Sequence, residues 1–190
     1  MARLEYPKEE ELSKKTRDLL SLTVDINIFR MMGHCETLIA PFLALGANIL
    51  MASRIDPILR ELAIVRAAVH CNSAYELRQH DAIALEVGVS QEKIDALRNS
   101  DLSDAFSDSE KAIIRFTDEL IHDVKVSDPT FAAVERMLSP CEIQELIIAV
   151  GYYSMVGRFL ETLGVDLETG AEMKVVQVSE VAKRVLVEKG

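Results

Sequence analysis

Tryptophan is absent from this chain, and the residues that break helices are scarce: eight Gly and five Pro among 190 residues. There is no low-complexity linker and no repeat at solenoid spacing, so a single domain with a sizeable core is expected. Aromatics make up only 5% of the residues, while 49% are apolar and 27% charged. That is too apolar for a disordered chain. It suits a helix-rich globular protein, because Ala and straight-chain side chains lose little rotamer freedom in a helix. Positive charge is in deficit, with 21 Lys and Arg against 31 Asp and Glu and a formal charge of −10. Such a surface repels phosphate backbones and anionic lipid, so neither a nucleic acid nor a membrane is expected as a partner. No apolar run approaches the roughly 18 uninterrupted residues of a membrane span. The beginning, "MARLEYPKEEELSKK", has no apolar leader region. Cysteine is limited to Cys35, Cys71 and Cys141. An odd, widely spaced set forms no disulfide framework, and a cytoplasmic location is the expectation.

What is present is helix grammar. Asp56-Pro57, Asp128-Pro129 and Ser139-Pro140 each set an N-cap residue before a proline suited to the first helical position. Ser107-Asp-Ser-Glu110 and Ser139-Pro-Cys-Glu142 also match the capping box, and Gly88 followed by Ser90 reads as one helix stopping before the next starts. Apolar residues recur at helical spacing between these signals, as in Leu59, Leu62, Ala63 and Val65, then Ala82, Ile83, Leu85 and Val87. Further helices are expected near residues 8–22, 25–33, 36–51, 91–98, 109–125, 129–138 and 140–163. Only "KVVQV" (Lys174–Val178) resembles a strand. The expectation is all-α: an N-terminal helical segment over 1–27, a helical core over 28–168, and a C-terminal arm or final helix over 169–190.

Chemistry concentrates in "HCNSAYELRQH" (His70–His80). Ser73, Glu76 and His80 stand at i, i+3 and i+7, on one face of a helix. The preceding helix carries Glu61, and an antiparallel turn at Cys71–Asn72 brings it towards His80. A carboxylate beside an imidazole holds its tautomer and favours proton transfer near neutral pH. The plainer alternative is also written there, since Ser73-Ala-Tyr-Glu76 is itself a capping box. Ser73 reads chiefly as an N-cap, and Glu76 stays open between cap and site. Cys71 reads as a half-buried, inert thiol, with a reactive nucleophile as the competing role. His34-Cys35 and His70-Cys71 fit no zinc spacing, so no metal and no other cofactor is expected. His122 is expected as a surface residue near a helix end. "GYYSMVGRFL" (Gly151–Leu160) is an apolar helix whose Tyr152, Tyr153 and Arg158 either line a polar pocket or pack in the core.

The stretch "RELAIVRAAVHCNSAYELRQHDAIALEVGVSQEKIDAL" (Arg60–Leu97) resembles the core of the carboxymuconolactone decarboxylase and alkylhydroperoxidase AhpD-like superfamily, and the likeness extends over roughly residues 28–168. It implies an AhpD-like helical bundle and self-association as a trimer or hexamer. In the hydroperoxidase branch a Cys-x-x-Cys pair precedes the histidine by seven and four residues, which places Ser73 and Glu76 where those thiols stand. Glu61 and His80 are retained. Thiol peroxidase chemistry by the family route is therefore disfavoured. The decarboxylase branch has a similar run, matched by Glu76-Leu77-Arg78-Gln79-His80. The resemblance thus implies a cofactor-independent acid–base enzyme for a small carboxylated or lactone-type metabolite. Glu61, His80 and Glu76 are then the expected catalytic groups, and Arg66, Arg78 and Tyr75 the expected substrate-binding ones. Arg78 diverges from His80 by about 160° on an ideal helix, which leaves Arg66 an equal candidate for the anion. A lone-cysteine antioxidant and a non-enzymatic ligand-binding oligomer are the competing readings.

Overall fold

A computed structural model of the protein describes residues 1–99 and 104–168. After a 3-10 turn at Glu9–Glu11, nine helices follow among the described residues: α1 (Lys14–Ser21), α2 (Asn27–Met32), α3 (Glu36–Met51), α4 (Pro57–His70), α5 (Ala74–Val87), α6 (Gln91–Ala96), α7 (Asp108–Asp123), α8 (Asp128–Glu135) and α9 (Pro140–Leu163). No strand occurs among those residues. The strand-like 174–178 and the expected C-terminal arm lie outside them.

The sequence signals set most of the boundaries. Asp56 caps α4 by accepting from the backbone N–H of Ile58 at 2.9 Å and of Leu59 at 3.2 Å. Ser107 with Glu110 and Ser139 with Glu142 close reciprocal capping boxes on α7 and α9. Gly88 ends α5 at φ 106°, a left-handed turn open to glycine, and Ser90 caps α6. At Asp128-Pro129 the helix begins one residue earlier than expected. Ser127 is the N-cap, and its N–H is held by Glu119 at 2.7 Å rather than by a cap within the helix.

Helix α4 is the axis of the fold, packed against α5, α7 and α9. Every residue from Arg60 to Ala68 is buried, which explains why this segment reads as apolar nearly all round. Leu62 and Val65 face α5 and α6, Ala63 faces α7 to α9, and Ile64 joins the layer built from α2, α3 and α9. Its return into α5 is made within three residues, with Asn72 at φ 50°. Asn is among the few non-glycine types that tolerate that region. The result is an antiparallel α4–α5 seam. Helix α9 alone among the described residues is long and apolar enough to cross a membrane, and half of that apolar stretch is buried inside the fold.

Candidate functional site

Three charged side chains of α4 are buried, and each is paired. Glu61, with no exposed surface, accepts from His80 Nδ1 at 2.9 Å on one oxygen and from Arg60 Nε at 3.1 Å on the other. The carboxylate therefore fixes the imidazole with its N–H on Nδ1, leaving Nε2 as the nitrogen with a lone pair. Nε2 has no hydrogen-bond partner among the described residues. Arg66 points elsewhere. It grips Asp118 through Nε at 2.6 Å and Nη2 at 3.1 Å, and its Nη1 reaches the carbonyls of Leu97 and Asn99.

Glu76 lies one turn before His80 on the same face of α5. Ser73 accepts from the Glu76 backbone N–H at 3.5 Å, as an N-cap should, but the Glu76 side chain does not return the bond. Its carboxyl is 2% exposed, and neither oxygen has a hydrogen-bond partner among the described residues. Burial, with the Glu161 carboxylate adding to it, holds this group well above the ordinary carboxylate range. Such a placement favours the protonated form, because no nearby charge offsets the loss of water.

Both groups line one cavity of ≈ 80 Å³, bordered by α2, α3, α5 and α9. Its walls are mainly apolar, from residues such as Ile28, Leu43, Ala47 and Val156. Tyr152 and Tyr153 enter from α9, each ring edge-on to the other and Tyr153 also edge-on to His80 at 4.5 Å. Desolvation raises the Tyr153 hydroxyl well above its usual range, with Tyr152, Glu61 and Glu76 contributing. The Tyr152 hydroxyl donates to the Phe42 carbonyl at 3.0 Å. It stands 2.6 Å from where a Cβ on Gly46 would lie, so α3 approaches α9 this closely only with glycine at that position. At the rim, Tyr75 accepts from the Ile28 N–H and donates to Glu168, which also takes a bond from Gln79.

Two of the expected substrate-binding residues fall outside this cavity. Arg66 is held by Asp118, and Arg78 is half-buried off the lining, so neither brings a cation to the cavity. Tyr75 does line it. Cys71 is half-buried behind Glu76, its Sγ 3.7 Å from the Ser154 carbonyl, and burial pushes its thiol up rather than activating it. Side chains of Cys71 and Glu76 both crowd the bare face of Gly157, where a Cβ would meet Sγ at 2.8 Å and Oε2 at 3.2 Å. The two His-Cys dipeptides serve separate places. His34 contacts the Glu5 carbonyl at 2.8 Å and His70 the Asp118 carboxylate at 2.6 Å. His122 packs edge-on against His70. Arg158 turns back to the Ser154 carbonyl.

Several lining residues carried little sequence signal. Gln79 falls one turn after Glu76, a spacing that already put it on the site's face. Phe42, Gly46 and the α2 residues read only as ordinary apolar helix, because nothing local says which core positions border an empty volume.

Among known proteins, residues 37–119 match the model of the carboxymuconolactone decarboxylase family. The fold is similar to that of an uncharacterized peroxidase-related protein with an alkylhydroperoxidase AhpD core from Ralstonia eutropha. That likeness has a TM-score of 0.75 at 17% identity and covers 88% of this chain and 92% of the other. A peroxidase-related protein from Silicibacter gives 0.74 at 13% identity, over 92% and 95%. The debrominase Bmp8, as a cysteine-to-alanine variant in complex with 2,3,4-tribromopyrrole, gives 0.71 at 16% identity, over the whole of both chains. No curated protein matches the sequence. The helical architecture is thus the AhpD-like one. The likeness to the carboxymuconolactone decarboxylase family lies in residues 37–119, and the chain has no Cys-x-x-Cys pair.

Proposed function

We propose that this protein is a cofactor-independent enzyme that moves a proton on a small molecule held in the α2–α3–α5–α9 cavity. The observation that carries the reading is the unpartnered, buried Glu76 carboxyl one helical turn from the His80 imidazole, with both lining that cavity. A buried polar group without a partner is unfavourable by about 1–3 kcal/mol, and such groups are retained where a ligand completes them. His80 is the base: Nε2 takes a proton, and Glu61, braced by Arg60, stabilises the imidazolium that forms. Glu76 is the acid, supplying a proton to the part of the substrate that gains electron density.

Among the reactions its relatives suggest, thiol peroxidation has the least support. Ser73 and Glu76 stand where the hydroperoxidase branch has its thiols, and Cys71 is turned off the cavity with its thiol pushed up. The halogenated pyrrole in the debrominase complex supports a compact, mostly apolar guest of ring size.

Hydrogen–deuterium exchange at carbon, followed by NMR over a panel of small enolisable carbonyl compounds in D2O, tests this reading. The wild type is expected to accelerate exchange on at least one of them. His80→Gln and Glu76→Gln should each slow it by about 10²-fold or more. No exchange across the panel, or exchange untouched by both substitutions, contradicts the proposal.

A further inference from the structure

The cavity's polar atoms narrow what it can bind. Among the described residues no Lys or Arg lines it. The cations around it are already committed: Arg60 to Glu61, Arg66 to Asp118, and Arg158 to the Ser154 carbonyl. Among the described residues, a carboxylate guest would meet mainly apolar walls with no guanidinium or ammonium in the lining. Burying an anion unpaired is among the least favourable events in a protein interior.

The donors are just as constrained. Tyr152 gives its hydroxyl proton to the Phe42 carbonyl, Tyr75 gives its own to Glu168, and the Gln79 amide also reaches Glu168. Two donors are left without an acceptor among the described residues, the Glu76 carboxyl and the Tyr153 hydroxyl. One acceptor complements them, His80 Nε2. Tyr153 is buried against the His80 ring, and its hydroxyl feels both Glu61 and Glu76, so it lies near both members of the acid–base pair. Two donors and a base lining one cavity form an arrangement suited to enolisation. The donors hold a carbonyl oxygen while the base removes the adjacent C–H proton, and a phenol paired with a neutral carboxylic acid is a known way to hold such an oxygen.

Resting on the acid–base reading above, we infer that the cavity takes an uncharged, enolisable carbonyl compound, with Tyr153 and Glu76 donating to its oxygen and His80 facing its acidic C–H. In the step, Nε2 takes the proton from carbon. The C–H pair becomes the new C=C bond, and the carbonyl π pair moves onto oxygen, which accepts the Glu76 proton. Reversal, with His80 returning its proton to the same carbon or to the far end of a conjugated system, restores both side chains. Exchange or double-bond migration results, and no oxidant or reductant is consumed. This departs from a carboxylated substrate, for which the described lining offers no Lys or Arg.

The test compares 2-cyclopentenone with its anionic analogue 1-cyclopentenecarboxylate, binding each to the whole protein by calorimetry at neutral pH. The ketone is expected to bind at least about 100-fold more tightly. Tyr153→Phe should weaken it by about 2- to 10-fold, the loss of one hydrogen bond. Should that variant fail to fold by its melting curve, Glu76→Leu removes the other donor and is read against the same expectation. The inference is overturned if the carboxylate binds as well as the ketone, if the ketone does not bind, or if loss of the donor leaves its affinity unchanged. Because binding is read without turnover, ketone binding with no deuterium exchange defeats the acid–base reading alone. Exchange on carboxylates with the ketone rejected defeats the substrate class alone.

Discussion

Replacing Glu76 by Gln is expected to stabilise the protein, and to do so increasingly as pH rises. In the folded chain the carboxyl is buried with no partner on either oxygen, and its pKa is raised well above the ordinary value of 4.5. Between those two values the folded state keeps a proton that the unfolded chain has released. The unfolded state therefore binds fewer protons, and stability falls as pH rises through that window, by about 1.4 kcal/mol per pH unit for this single group. Below the ordinary value the proton is bound in both states and the slope vanishes. Gln copies the shape of the neutral acid and cannot ionise, so the variant lacks this term. The gap between the two proteins should therefore widen steadily as pH rises through the window, which is a sizeable change for a domain of marginal stability. Urea unfolding of both proteins in parallel, from about pH 4 to about pH 7, reads the difference directly. A difference that stays flat with pH, or wild-type stability that rises with pH relative to the variant, would refute the claim that Glu76 is a neutral buried acid.

Other perturbations probe the surrounding packing and charge. Glu61→Leu leaves the buried Arg60 guanidinium without its partner and should cost about 3–5 kcal/mol, most of it recovered when Arg60→Met is added; unfolding of the single and double variants decides this. Gly157→Ala brings a methyl within 2.7 Å of the Cys71 Cβ and should lower stability by about 1–3 kcal/mol, relieved in part by Cys71→Gly; thermal melting that is unmoved would contradict the crowding. Cys71, half-buried with its thiol raised, should react with a maleimide at neutral pH far more slowly than the exposed Cys141; equal rates would reopen a thiol-based reading.

The α4–α5 seam could be read before any coordinates, because its signals are local. Asp56-Pro57 starts one helix, Ser73 starts the next, and the short connection forces them antiparallel, so Glu61 and His80 come together across 19 positions. Glu76 could not be resolved that way. The Ser-x-x-Glu pattern is the same whether the carboxyl returns to the cap or turns away, and the outcome depends on the cavity that α9 and α3 leave beside it. Arg66 shows the converse limit. A guanidinium five residues past Glu61 suggests a substrate anion, but its partner, Asp118, lies 52 positions away on α7, where no spacing rule reaches. Tyr153 was visible as an aromatic on an apolar helix. Its place against His80 follows from how α9 crosses α4, which is a property of the packed bundle.

The proposed chemistry requires a protonated carboxyl at Glu76 inside the cavity, one helical turn from the His80 base. The infrared difference spectrum between the wild type and Glu76→Gln at neutral pH tests it most directly. A carbonyl stretch of an un-ionised carboxylic acid, present in the wild type and lost in the variant, is the result this account predicts. A difference spectrum showing only the paired bands of an ionised carboxylate would contradict it.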